Sequence, residues 1–474
     1  MANELAKLSI LDAAKKLAAK EISSVDLTRA CMENIDARNE RLNAYLEVFD
    51  DAEDQAQAAD DRRAKGEKHA LLGIPLAMKD NILIEGRRVS AASKMLENYV
   101  ATYDATAVTK LKSAGAVFLG RTNLDEFAMG GSTENSAFGV TRNPVDETRV
   151  AGGSSGGSVA AVAADMALGA FGSDTGGSVR EPSAFCGTVG FKPTYGAVSR
   201  SGLIAMGSSL DQIGPIAKNV ADAELLFNTT RGLDPLDSTT TPEGLYPKRK
   251  QMKKIGVPRH LFTEGIDKDL LKNFDAALAD LVAQGYELVD IKLPSAPLAL
   301  AIYYIVMPAE VSTNLARLDG VRYGLSKTGE NLFDDYAKTR REGFGPETRR
   351  RIMLGTYVLS SGYYDAYYGK ATLARETLSR EIAEALERVD VIATPTTPSP
   401  SFKIGEKSDP LSMYLADIFT VTANLTGNPA ISLPMGTVVR DGVSLPVGIQ
   451  FTAAHGDEAG LFTVGKLLES SQKK

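Results

Sequence analysis

Cysteine, histidine and net positive charge are what this chain of 474 residues is short of. Its 2 cysteines, Cys31 and Cys186, form neither a metal-binding spacing nor a disulfide framework. Such sparing use fits a reducing compartment. Its 3 histidines, His69, His260 and His455, lie far apart, which argues against a histidine-based zinc site. Lysine and arginine total 53 against 60 aspartates and glutamates, a net charge of −7, and no basic stripe is present. Direct nucleic-acid binding through phosphate neutralisation is therefore not expected to be the chain's main work. The first residues lack an uninterrupted apolar core, with Glu4 and Asp12 among Lys7, Lys15 and Lys16, so no secretory signal is expected. The apolar stretch 159–171 contains Asp165 and is too short to span a bilayer. A cytoplasmic protein with no membrane association is the expectation. The phosphate-loop pattern Gly-x-x-x-x-Gly-Lys-Ser/Thr is also missing, so the glycine-rich segments need another explanation.

The length suggests one large domain or two intimate ones; a single domain over 1–474 is expected. Ser9 precedes a helical pattern through Leu17, and Ser24 is expected to cap another through roughly Ala37. Residues 50–65 read as a polar helix ended by Gly66, so the segment of about 1–66 reads as helical. A short strand over 74–78 places Lys79 at its exit. Helix over 105–114, strand over 117–119, alanine-rich helix within 155–167 and strand over 169–171 follow, leaving Ser178 in the next loop. Residues 232–250, with Pro235, Pro242 and Pro247, read as a surface excursion. Strands at 254–257 and 287–291 flank an amphipathic helix over 267–284. Residues 298–318 and 348–388 read as mostly helical, and late strands are expected at 391–394, 430–433 and 447–451. This alternation predicts an α/β fold.

Two serine-in-glycine segments carry the chemistry: Gly152-Gly153-Ser154-Ser155-Gly156-Gly157-Ser158 and Gly172-Ser173-Asp174-Thr175-Gly176-Gly177-Ser178, with Lys79 upstream. A serine hydroxyl needs a base to take its proton. A lysine serves if its amine is neutral, which burial and nearby positive charge favour. The setting Gly73-Ile-Pro-Leu-Ala-Met-Lys79 is suitably apolar. Ser154 would then bridge, donating to the lysine amine and accepting from Ser178. Thr175, Gly176, Gly177 and Ser178 supply consecutive backbone N–H groups for an oxyanion. A competing reading takes Gly152-Gly153-Ser154-Ser155-Gly156 as a nucleophile elbow, with His260 or His455 as base. It leaves Lys79 and the second segment unexplained.

At 152–158, 160–164, 172–180, 186–187 and 190–194 the chain resembles the amidase signature family. That resemblance implies a large mixed β-sheet covered by helices on both faces. It implies a Ser–cis-Ser–Lys triad of Ser178, Ser154 and Lys79, with a cis bond between Gly153 and Ser154. Segments at 121–136, 232–239, 314–324, 350–352 and 359–365 are similar to the glutaminase (A) subunits of the aspartyl/glutamyl-tRNA amidotransferases within that family. This likeness implies glutamine hydrolysis, with ammonia passed to a partner. B and C subunits are the implied partners, and Glu-tRNA(Gln) or Asp-tRNA(Asn) binds mainly through them. ATP and Mg²⁺ are used by the partner subunit; no cofactor or metal is expected in this chain. The likeness also implies substrate contacts: Arg351 (or its neighbour Arg350) for the α-carboxylate, Asp417 on a helical stretch over 414–425 for the α-ammonium, and Tyr304 with Met129, Gly130 and Ser132. Glu181 departs from these subunits, which usually carry glutamine there; a carboxylate changes the polarity of the pocket or the path of ammonia. A free-standing amidase on a small amide, or a catalytically idle assembly protein, is the alternative reading.

Overall fold

Runs of small and apolar residues form the centre of one 11-stranded mixed sheet. The computed structural model describes residues 2–242, 244–247, 253–263 and 265–472. The strands are β1 (Tyr45–Val48), β2 (Pro75–Lys79), β3 (Val117–Thr122), β4 (Gly169–Asp174), β5 (Val189–Lys192), β6 (Gln212–Ala217), β7 (Lys254–Val257), β8 (Glu287–Asp290), β9 (Val391–Pro395), β10 (Ala430–Arg440) and β11 (Val443–Ala453). Across the sheet they run β1-β3-β2-β4-β6-β5-β10-β11-β9-β7-β8. β2 is parallel to β3 and β4, and β7 is parallel to β8 and β9. The other pairs are antiparallel. Every residue of β2, β3, β4, β5, β6 and β9 is buried. A sheet covered on both faces produces that pattern, and such strands show no polar alternation.

The helix Ile10–Ala18 starts at Ser9, as its sequence suggests, and buries Ile10, Ala13 and Leu17. The next helix differs. Its N-cap is Ser23, whose Oγ accepts from Asp26 N while the Asp26 carboxylate accepts from Ser23 N, a capping box. Ser24 is the first helical residue, its N–H donating to Asp60, and the helix continues past Ala37 to Leu42. β1 then follows, so the segment 1–66 is not purely helical. Within the excursion, Asp234 accepts from Thr106 and Ser199 hydroxyls, and Asp237 pairs with Arg200. Residues 243 and 248–250 of that stretch lie outside the described residues.

A second apolar core stands beside the sheet. Met95 and Phe127 from short 3-10 turns and Met129 just after the second meet Tyr303, Val306 and Met307 of the helix Ala299–Asn314 and Leu378 and Ile382 of the helix Lys370–Arg388. The run Ala296–Arg317 is long and apolar enough by composition to cross a membrane; here its helix packs on the helices Pro346–Val358 and Lys370–Arg388. This core carries the groups that face the ends of β2 and β4.

Candidate active site

β2 delivers Lys79 as its last residue, beside β4 and the loop that follows it. Lys79 Nζ lies within hydrogen-bond distance of Ser154 Oγ (2.8 Å), Ser155 Oγ (2.8 Å), Ser173 Oγ (2.9 Å) and the Ser173 carbonyl (3.2 Å). Its partners are neutral oxygens, and no ion pair engages it among the described residues. Burial draws the amine down to about 7, against the opposing pull of Asp125, Asp174 and Asp211. The sequence suggests help from nearby positive charge. The charges that act on Lys79 most are acidic, so burial is what lowers it.

The Gly153–Ser154 peptide bond is cis, as the resemblance implies. A Cβ on Gly153 would stand 2.1 Å from Asp125 Oδ2 and 2.6 Å from Ser132 N, so only glycine fits. Lys79 and Ser154 are 0 % exposed and Ser178 is 8 % exposed. Of the three, Ser178 is therefore the most exposed. The Ser178 carbonyl accepts from Ser155 N at 3.0 Å. Among the described residues no hydrogen bond joins Ser178 Oγ to Ser154 Oγ, so the bridge expected from sequence is half made: lysine to Ser154.

Asp174 holds the loop of Thr175–Ser178. Its carboxylate accepts from Gly177 N (3.0 Å) and Val179 N (3.2 Å) and from Arg180 in a two-pronged pair (2.9 and 3.0 Å). Arg180 also donates to the Thr420 carbonyl, Gln450 and Asn424. Burial raises the Asp174 carboxyl, but Arg180, together with Lys192 and Asn424, brings the group to about 2. Breaking such a fully buried pair costs about 3–5 kcal/mol, because the remaining charge is left uncompensated. The same contact corrects the expected oxyanion donors. Gly177 N–H is engaged by Asp174, whereas the N–H groups of Thr175, Gly176 and Ser178 have no acceptor among the described residues. A Cβ on Gly176 would lie 2.6 Å from Tyr303 Oη. Gly176→Ala is thus expected to displace the loop and lower kcat by about 10²-fold, with a much smaller change in KM. Steady-state kinetics decide this; a wild-type kcat removes the loop from the oxyanion role.

The residues expected to contact substrate gather around Arg351. Its side chain is 4 % exposed and that of Arg350 is 44 % exposed, so Arg351 is the inward member of the pair. Arg351 Nε donates to Glu347 Oε1 at 2.8 Å, and its guanidinium lies 5.4 Å from the Tyr304 ring and 5.5 Å from the Tyr414 ring. Those rings stack at 3.9 Å and fix the guanidinium plane. Nη2 makes no hydrogen bond among the described residues. Asp417 is partly buried, and its carboxylate has no hydrogen-bond partner among the described residues. Burial first, then Asp174, pushes it up to about 7, against Arg351, Arg180 and Lys407. The helical stretch expected over 414–425 is broken into Pro410–Tyr414, a 3-10 turn Leu415–Asp417 and Val421–Leu425. The break lets Thr420 Oγ1 donate to the Gly176 carbonyl at 2.6 Å, tying the Asp417 turn to the nucleophile loop.

Met129, Gly130 and Ser132 lie on a loop set by Asp125. That buried carboxylate accepts from Thr133 N (2.8 Å), Asn135 N (3.2 Å) and Ser132 N (3.3 Å), while Asp125 N donates to the Ser154 carbonyl at 3.3 Å. The Met129 side chain is buried in the second core, so only its backbone can face a substrate. Sequence reasoning gives no role to Asp125, Ser155, Ser173, Asp174 or Arg180. One signal is present: Asp174 and Arg180, opposite charges flanking Thr175-Gly176-Gly177-Ser178.

The family model described as Amidase matches residues 26–462. The chain is 50% identical over 470 residues to the A subunit of the glutamyl-tRNA(Gln) amidotransferase of Desulfatibacillum aliphaticivorans, covering 97% of this chain and 96% of the relative. It is 51% identical over 469 residues to the protein of that name from Roseiflexus castenholzii, covering 97% and 95%. Among solved structures, the A subunit of the glutamyl-tRNA(Gln) amidotransferase from Thermotoga maritima superposes with a TM-score of 0.80 at 40% identity, over 98% of this chain and 95% of that one. The peptide amidase PAM bound to chymostatin gives 0.82 at 29% identity, over 98% and 97%. With the matched model spanning most of its length and relatives at half identity end to end, the chain belongs to the Amidase family.

Proposed function

We propose that the chain hydrolyses glutamine as the A subunit of a tRNA-dependent amidotransferase, releasing ammonia for Glu-tRNA(Gln). The observation that carries the chemistry is the buried Lys79 amine, drawn down to about 7 and bonded to Ser154. In its neutral form the amine takes the Ser154 proton as Ser154 takes that of Ser178. Ser178 Oγ attacks the side-chain carboxamide. The oxyanion sits on the N–H groups of Thr175, Gly176 and Ser178. As the tetrahedral adduct collapses, the proton returns through Ser154 to the nitrogen, the C–N bond breaks, and ammonia leaves. Water attacks the resulting γ-glutamyl ester with the same base, giving glutamate and free Ser178. Arg351 suits the α-carboxylate and Asp417 the α-ammonium.

Assembly with B and C subunits fits the name carried by relatives at half identity. The ATP- and Mg²⁺-dependent transfer then runs on the partner. The amidase with the same fold is less similar, at 29% identity, which favours the subunit over a free-standing amidase. The test is glutamine hydrolysis by the purified chain, alone and with B and C subunits, ATP and Glu-tRNA(Gln). Hydrolysis that rises sharply in the complex supports the proposal; brisk cleavage of simple amides by the lone chain, indifferent to partners, refutes it. Arg351→Lys is expected to raise the glutamine KM about tenfold or more, since an ammonium cannot reproduce the guanidinium fork. Cleavage of butyramide, which has no carboxylate, should be unaffected; a parallel loss on both substrates would mean a packing role.

A further inference from the structure

Glu181 is 0 % exposed, and neither of its carboxyl oxygens has a hydrogen-bond partner among the described residues. It lies on the first turn of the helix Arg180–Cys186, directly beyond the nucleophile loop, with its N–H bonded to the Gly177 carbonyl at 2.8 Å. The carboxyl rests against the 129–132 loop: an ideal Cβ on Gly131 would stand 3.2 Å from Oε2 and 3.4 Å from Oε1. Asp417 and Lys407 are the charges that act on it most, followed by Asp125 and Asp174. Burying a carboxyl without hydrogen-bond partners is costly, and such groups in native proteins call for an explanation.

We infer that Glu181 is a second receptor for the substrate's α-ammonium, completing with Asp417 a two-carboxyl seat for a primary ammonium group. This rests on the glutamine reading above. The two groups are suited to the task together. A neighbouring like charge disfavours the ionised form of each carboxyl. Burial and Asp417 hold Glu181 well above the usual carboxylate range, while Asp417 titrates at about 7. One ionised and one neutral carboxyl would match one ammonium. An ammonium has three donors. The Asp417 carboxylate and the carbonyl oxygen of the Glu181 acid each accept one. Lys407 stands close enough to feel both acids: burial lowers its amine, and Glu181 and Asp417 pull it back up. An amide substrate with no amine would leave the Glu181 carboxyl unpaired, so the seat discriminates as well as binds.

The test compares glutamine with glutaramate, which keeps the carboxamide and the carboxylate but lacks the amine, on the chain assembled with its partner subunits. Glu181→Met preserves the volume, removes an unpaired buried acid and should fold at least as stably. It is expected to shrink the preference for glutamine over glutaramate, as a ratio of kcat/KM, by about tenfold or more. Glu181→Gln, which restores an accepting oxygen, should recover much of that preference. An unchanged preference in Glu181→Met, or an equal fall on both substrates, overturns the inference while leaving glutamine hydrolysis standing. Wild-type complex that hydrolyses neither substrate overturns the glutamine reading and the inference with it.

Discussion

Replacing Ser178 with alanine is expected to abolish glutamine hydrolysis, by about 10³–10⁶-fold in kcat, while leaving the protein folded and competent with free ammonium. The fold should tolerate the change because Ser178 Oγ makes no hydrogen bond among the described residues, and the carbonyl that receives Ser155 N is unaffected. The chemistry should not tolerate it, because Ser178 is the most exposed member of the Lys79–Ser154–Ser178 set and its Oγ is held by no other group among the described residues. With ammonium chloride in place of glutamine, the assembled complex should still form Gln-tRNA(Gln). Near-wild-type glutaminase turnover in Ser178→Ala would place the nucleophile elsewhere. A complex equally dead with ammonium would show a structural defect instead.

Lys79→Met should separate catalysis from stability. The methionine fills similar volume without a titratable amine, so glutaminase kcat/KM is expected to fall about 10²–10⁴-fold, the usual contribution of a general base. In the wild type, kcat/KM should rise with pH through about 7, where the amine loses its proton, and then level. The stability effect has the same sign. The folded amine titrates near 7 and the unfolded one near 10.5, so between these values the unfolded chain holds the proton and the folded chain does not. Stability from this group therefore increases with pH across that window and is lost as pH falls through about 7. Lys79→Met should flatten that slope and unfold no more readily than wild type at pH 7. A pH–rate profile and thermal melts at several pH values read both effects. A profile flat from about pH 6 to 8, or a variant that melts far lower, would contradict a buried neutral base.

Lys79, Ser154 and Ser178 stand out in sequence because two of them sit in long, specific glycine and serine patterns and the third ends a short apolar strand. Ser154 and Ser178 each fall where such a pattern leads into a helix. The helix at Ser9 and the strand entering Lys79 are also readable from a cap and a short apolar run. β1, β5 and β6 are not. Residues 45–48 mix Glu47 into a short strand, and β6 carries Gly214 and Pro215 inside a fully buried strand. β10 and β11 are readable only at their buried ends, because the distal half of that hairpin is mixed in exposure and shows no clean period. The charges around the amine are hidden for another reason. Asp125 and Asp211 reach the site through tertiary packing, and sequence distance conceals that. The break after Tyr414, which brings Thr420 onto Gly176, depends on the same long-range contacts.

Ser154 and Ser155 bond directly to Lys79 and Ser178 does not, so the nucleophile's identity needs its own test. Labelling the assembled complex with a fluorophosphonate and mapping the adduct by peptide mass spectrometry tests it directly. The adduct is expected on Ser178, lost in Ser178→Ala, and formed faster as pH rises through about 7. An adduct on Ser154 would instead make that serine the nucleophile, and an assembled complex that hydrolyses glutamine without labelling Ser178 would contradict the mechanism.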